Sequence, residues 1–340
     1  MGVSPGSEVT LKLPTAEGSL PLGCAPTFND KSQRRMMNLR TYAELSAALD
    51  GIDVDRTMSV HWSAMDDWYT VNDGRITTTA PLGTWSHRSF LRSFYFFCCH
   101  LFYAQHALHR GFARWYRIGN RIARAQNRVF DLDLLRHVFT ADYLMRRLPL
   151  ERIRTVVVIG DGFANMAALL RHYPAVRKVV LVNLSKPLRI DAQCLEQLTP
   201  GQGYALLKTS ADTVEFLADP KIVVGCIVAN NARLLVEIPF DLCVNIYSMM
   251  EMDIATVEDY FRFCRAAPGG EKYFYCCQRR SKTLADGQIL AFANYPWQHC
   301  ESPLDEGNCP WARTQIHFRY YVPYRKPLDV VHSLRKFRAP

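Results

Sequence analysis

Two clusters in the middle of the chain have residue types and spacings suited to chemistry. The first is Gly160-Asp161-Gly162-Phe163-Ala164, a G-x-G-x-A string. A first glycine permits a tight turn, a second lets a ligand approach the backbone, and a small third residue lets a helix pack closely. Placed between a strand and a helix, such a loop holds a nucleotide-like cofactor. Gly160, Asp161, Gly162 and Ala164 are therefore expected cofactor contacts. The second cluster sets Asn245, Ser248 and Glu251 three residues apart. Met249, Met250 and Met252 flank Glu251, and apolar surroundings raise a carboxyl pKa and suit it to take a proton from a hydroxyl. Glu251 is either that general base or a brace for its loop. Asn245 orients a substrate or the loop, and Ser248 faces the same region.

These residues need a scaffold, and the pattern around them supplies one. Apolar, strand-like runs recur at 155–159, 178–182, 226–229, 241–246 and 272–276, the last of them aromatic. Helical stretches at 164–172, 188–198 and 256–266 separate several of them, with a small helix expected near Val214. Continuous apolar strands alternating with helices predict a parallel sheet covered on both faces. Ligands of such sheets bind beyond the carboxyl ends of the strands, where both clusters fall. Asn183 and Leu184 end the second run, at a position where dinucleotide enzymes keep an acid for ribose hydroxyls. An Asn can accept from those hydroxyls without charge assistance. Asn230 and Asn231, past the third run, are placed to read an adenine edge. A late strand is expected at 315–322, closing the sheet edge.

The order of several motifs adds a resemblance. Phe240-Asp241-Leu242 leads to Asn245, Ser248, Glu251 and Met252; Tyr260-Phe261 follows, then Tyr273-Phe274-Tyr275 with Gln278 and Arg279, and finally Tyr295-Pro296-Trp297. This resembles the sugar O-methyltransferase family, whose pattern runs D-L-x-x-N-x-x-S-x-x-E-M, Y-F, F-Y with a polar end, and Y-P-W. The similarity spans residues 142–297, nearly half the chain. It implies an α/β class I methyltransferase fold: a doubly wound, mostly parallel Rossmann-like sheet, here with an N-terminal helical region. It implies S-adenosylmethionine (SAM) as cofactor and methyl transfer to a hydroxyl of a sugar or glycoconjugate. Residues 1–150 would then be an arm and a helical substrate lid, and residues 151–340 the SAM-binding domain with a C-terminal strand extension. Tyr295 and Trp297 either present flat faces to a sugar or fill a core. His299, two residues beyond, rivals Glu251 as base. The chain departs from the family in Val158, where Glu is usual, and in Asn183, where Asp is usual; both acids normally shape the cofactor pocket.

Charge is distributed unevenly. The formal net charge is +9, and residues 88–154 hold thirteen arginines, no lysine and four acids. Arg110, Arg114, Arg117, Arg121, Arg124 and Arg128 are spaced four, three, four, three and four apart. On one helix they would share roughly 80° of arc. Such a ribbon is either a solvated face or a binder of phosphate, which Arg matches bidentately. Candidate ligands are a phosphate-bearing substrate, contacted by Arg110, Arg114, Arg117 and Arg121, or an anionic lipid surface. Nucleic acid is disfavoured because no nucleic-acid motif accompanies the ribbon. Eleven cysteines with no C-x-x-C give no metal spacing. No apolar run is long enough to span a bilayer and MGVSPGSEVT is not a signal peptide, so a cytoplasmic protein is expected. Two further readings stand beside the methyltransferase. One is a catalytically degenerate relative that binds an anionic partner through the ribbon. The other is an NAD(P)-linked enzyme, which lacks both a ribose-binding acid and a hydride-transfer constellation.

Overall fold

The computed structural model describes residues 41–50, 52, 69–72, 75–78 and 89–337, apart from 109–110, 285–286, 299–300, 302 and 320–321. The described chain begins with helix α1 (Tyr42–Asp50) and a hairpin of β1 (Tyr69–Asn72) and β2 (Arg75–Thr78). Three helices follow: α2 (Phe90–Leu101), α3 (Phe112–Ala125) and α4 (Leu132–Arg147). The apolar periodicity of residues 86–129 is continuous, but the helix is not. A 3₁₀ turn at Ala104–Ala107 interrupts it, and Gly111 opens α3 with φ of 103°, a left-handed value that glycine adopts at little cost. Asp131 caps α4 by accepting from the Leu134 amide at 2.8 Å.

Beyond α4 the apolar runs become β3 (Thr155–Ile159), β4 (Lys178–Asn183), β5 (Gly203–Leu206), β6 (Ile222–Val228), β7 (Leu242–Ile246) and β8 (Lys272–Arg279). They alternate with α5 (Asn165–Leu170), α6 (Ser185–Leu198), α7 (Ser210–Ala218) and α8 (Ile254–Ala266). A small hairpin of β9 (Ser281–Thr283) and β10 (Ile289–Ala291) precedes β11 (Pro303–Asn308). Then come β12 (Thr314–Arg319), β13 (Val322–Pro327) and β14 (Val330–Phe337). Eight strands form one sheet in the order β11-β14-β8-β7-β3-β4-β6-β5. β5 to β8 with β3 and β4 are parallel, while β14 and β11 are antiparallel to their neighbours. This is the doubly wound, mostly parallel sheet of the class I methyltransferase type.

β3 pairs with β4 on one side and β7 on the other, so strand order reverses there. The crevice at such a switch point is where open α/β sheets bind ligands. The sheet's two faces carry two cores. Val156 and Val158 of β3 pack with Trp115, Leu134 and Leu144 of α3 and α4 and with α5 and α6. Val157 and Ile159 turn the other way, toward Phe216, Val257 and Phe261 of α7 and α8. The helical region and the sheet thus share a core across residue 150.

The edge is closed differently from the sequence expectation. The strand expected at 315–322 pairs with β13 in a separate hairpin, and β14 and β11 complete the sheet. β14 (VVHSLRKF) hides its character because His332, Ser333 and Arg335 are buried polar residues. Arg335 is satisfied there by the Glu301 carbonyl at 2.8 Å and the Glu306 carboxylate at 2.7 Å.

Candidate active site

The glycine loop leaves β3 at the switch point, and its shape is set by its neighbours. Gly160 has φ of 67°, Gly162 81° and Ala164 51°. A Cβ on Gly160 would lie 2.3 Å from Cβ and Oγ of Ser248, so glycine is required here for loop-against-loop packing. Asp161 turns back over the start of α5, accepting from Met166 N at 3.0 Å and Ala167 N at 2.8 Å. Asp191, on the buried face of α6, accepts from Ala164 N at 2.7 Å. Burial pushes both acids above the usual carboxylate range, and for Asp191 the neighbouring charge of Asp161 adds to it. Sequence reasoning missed Asp191. Its signal was an acid on the apolar stripe of α6, between Leu188 and Cys194-Leu195.

Asn183 lies at the end of β4, as expected, but its amide is directed inward. Nδ2 donates to Asp191 Oδ2 at 2.8 Å and Oδ1 accepts from Leu184 N at 3.0 Å. It serves the loop's anchor first, and an aspartate there would face a carboxylate. Leu184 is half-buried beside it, and Asn230 and Asn231 follow β6, whose Val228 is level with Asn183. These expected cofactor contacts therefore share one sheet edge.

Across the switch point, Asn245 is fully buried and fully engaged. Nδ2 donates to the Ile159 carbonyl at 2.9 Å and to Ser248 Oγ; Oδ1 accepts from Met249 N at 3.2 Å and from Gln278 Nε2. Ser248 Oγ also donates to the Ile159 carbonyl, at 3.0 Å. Asn245 and Ser248 are thus a clasp between the β7 loop and the glycine loop, closed from β8 by Gln278. Glu251 ends the 3₁₀ turn Met249–Glu251 and pairs with Lys282 Nζ at 3.1 Å. The flanking methionines do not isolate it as expected: Met249 and Met250 are buried, and an ammonium meets the carboxylate instead. Tyr247, between these residues, has φ of 63° and reaches the Ala312 carbonyl at 3.3 Å.

The first turns of α4 approach the same loop. Asn165 of α5 donates to Asp133 Oδ2 at 3.1 Å. Arg128 lies beyond the end of α3 and is buried, bonded to Gln126 at 2.7 Å, to Asp131 at 3.1 Å and to Asn165. It ties α4 to the loop and is not part of an exposed ribbon. Arg114, Arg117, Arg121 and Arg124 are exposed on α3, and Arg110 lies outside the described residues.

Two expected substrate contacts are elsewhere. Tyr295 is buried at 4% exposure among Phe261, Phe292 and Trp297, and Trp297 stacks under Arg335 at 4.4 Å. Their neighbours Phe274 and Phe337 lie near the beginning of β8, away from the glycine loop. They fill the second core, packed against Phe261 of α8. His299 lies outside the described residues. A cavity of about 260 Å³ is lined by Phe102, Tyr103, His106, Arg313 and Thr314, not by the glycine loop. Among the described residues no group of His, Cys, Asp or Glu is arranged to hold a metal, and nine cysteines are unbridged.

No family model matches this chain, and no curated protein does. Solved structures show similarity over part of it. A methyltransferase from Pseudomonas syringae is 15% identical, with 58% of this chain and 95% of that one covered and a TM-score of 0.36. A SAM-dependent methyltransferase from Leishmania major is 11% identical over 60% and 71% of the two chains, TM-score 0.37. A Haloferax volcanii methyltransferase solved with the Trm112 activator is 14% identical over 64% and 95%, TM-score 0.38. The strand order itself defines the fold class.

Proposed function

We propose that the chain is a SAM-dependent O-methyltransferase acting on a hydroxyl of a sugar or glycoconjugate. The observation that carries the cofactor reading is the pair of carboxylates that hold the glycine loop, Asp161 from within it and Asp191 from α6. In dinucleotide domains the pyrophosphate rests on the amides at the start of the following helix. Here the Asp161 carboxylate takes two of those amides and Asp191 takes Ala164 N. A phosphate would find those amides taken and the Asp161 carboxylate in place of donors, whereas a cationic cofactor such as SAM suits that arrangement. Gly160, Asp161, Gly162 and Ala164 would hold the cofactor's middle, with Leu184, Asn230 and Asn231 along the same edge. When bound, SAM supplies the methyl group.

The acceptor hydroxyl must be aligned and lose its proton. Glu251 is the residue proposed to take it, with Lys282 holding its carboxylate in place and the Asn245–Ser248 clasp fixing the loop that carries it. The sugar reading rests on the D-L, N, S, E-M string and not on Tyr295 or Trp297. The test is incubation with methyl-labelled SAM and a panel of sugars and nucleotide-linked sugars. Label in an alkali-stable sugar ether is expected, and Glu251→Gln should lower its rate roughly 10²–10⁴-fold with cofactor affinity kept. Label found only in protein or nucleic acid would reject the acceptor class. An unchanged rate in a folded Glu251→Gln protein would reject the base.

A further inference from the structure

Helix α2 is apolar on both sides. It buries Phe96, Cys99 and His100 against the protein and turns Phe90, Leu91, Phe94, Phe97 and Leu101 outward. Those five are 83%, 78%, 59%, 52% and 58% exposed. Their spacing puts them on one helical stripe opposite the buried face. Together they expose on the order of 600 Å² of apolar surface, at the upper limit of what a monomer usually shows. Leu108, just beyond, is 84% exposed.

The charge in this part of the chain is of one sign. The sequence has no Asp or Glu from Gly74 to Phe130. Arg92 of α2 and Arg114, Arg117, Arg121 and Arg124 of α3 are exposed, and none pairs with a carboxylate among the described residues. α2 and α3 are fixed to each other where His100 Nδ1 meets the Tyr116 hydroxyl at 2.9 Å.

We propose that α2 and the arginines of α3 form a docking surface for an anionic lipid bilayer. An interfacial helix places aromatic and aliphatic side chains at the acyl boundary, while guanidinium groups attract anionic headgroups. A second copy of the chain fits less well. One helix face of about 600 Å² is below the roughly 800 Å² per partner of a stable interface, and two arginine-rich surfaces would repel each other. This inference does not depend on the methyltransferase reading.

The test uses the full chain without cofactor. It is sedimented with vesicles of phosphatidylcholine alone or with phosphatidylglycerol added. Binding is expected on the anionic vesicles, weakening as salt is raised, and little on the neutral ones. Phe94→Gln with Phe97→Gln changes only exposed side chains and should reduce binding at every salt concentration. Arg121→Gln with Arg124→Gln should reduce it roughly five-fold per arginine at low salt, with the difference closing at high salt. The proposal is overturned if the parent protein stays in the supernatant with anionic vesicles, or if the phenylalanine variant binds as the parent does. It is also overturned if the parent is a dimer on gel filtration and that variant a monomer, which would give the face to a second copy.

Discussion

At the residue scale, the most specific string in the sequence proves to be largely architectural. Asn245 has both amide protons and its carbonyl oxygen in use, so it orients the β7 loop and leaves nothing over for a substrate. Ser248 fills the space a Cβ on Gly160 would need. The two positions should therefore be coupled. Gly160→Ala alone adds a clash and a left-handed φ for alanine, and should destabilise by several kcal/mol. Ser248→Gly should cost less by itself and should rescue much of the Gly160→Ala loss. Urea midpoints of the two single variants and the double variant measure the coupling, expected at about 1–3 kcal/mol. Additive losses would mean that the two loops do not depend on each other.

At the element scale, what was legible is what repeats. The apolar runs of β3, β4, β6, β7 and β8 and the helices between them follow from pattern alone, because both sheet faces are covered. β14 was not legible, since its buried Arg335 is satisfied by Glu301 and Glu306, which lie far back along the chain. Nor was the break at Gly111 within an unbroken periodicity. One arginine of the expected ribbon departs from it: Arg128 turns inward past the end of α3. The same break brings α2 back onto α3 through His100, whose imidazole burial lowers from 6.5 to about 4. Between those values the unfolded chain binds the extra proton, so stability falls as pH drops from 6.5 toward 4. His100 should account for about 2 kcal/mol of that loss at pH 5. His100→Gln should be less stable at neutral pH but flatter below it in denaturant titrations. A slope like the parent's would place the sensitivity in other groups.

At the scale of the whole molecule, the fold, the loop acids and the clasp converge on one crevice at the β3–β7 switch point. The sequence pointed to that crevice, yet it could not show that Asn183 serves Asp191, because that contact depends on how α6 packs. The central claim is that the loop binds a cationic nucleoside cofactor and not a dinucleotide. Calorimetric titration of the purified chain with SAM and with NAD tests it most directly. SAM should give a saturating binding heat and NAD none, because the Asp161 carboxylate already occupies the helix amides that a pyrophosphate needs. Binding of NAD, or no binding of SAM by the folded protein, would contradict the account.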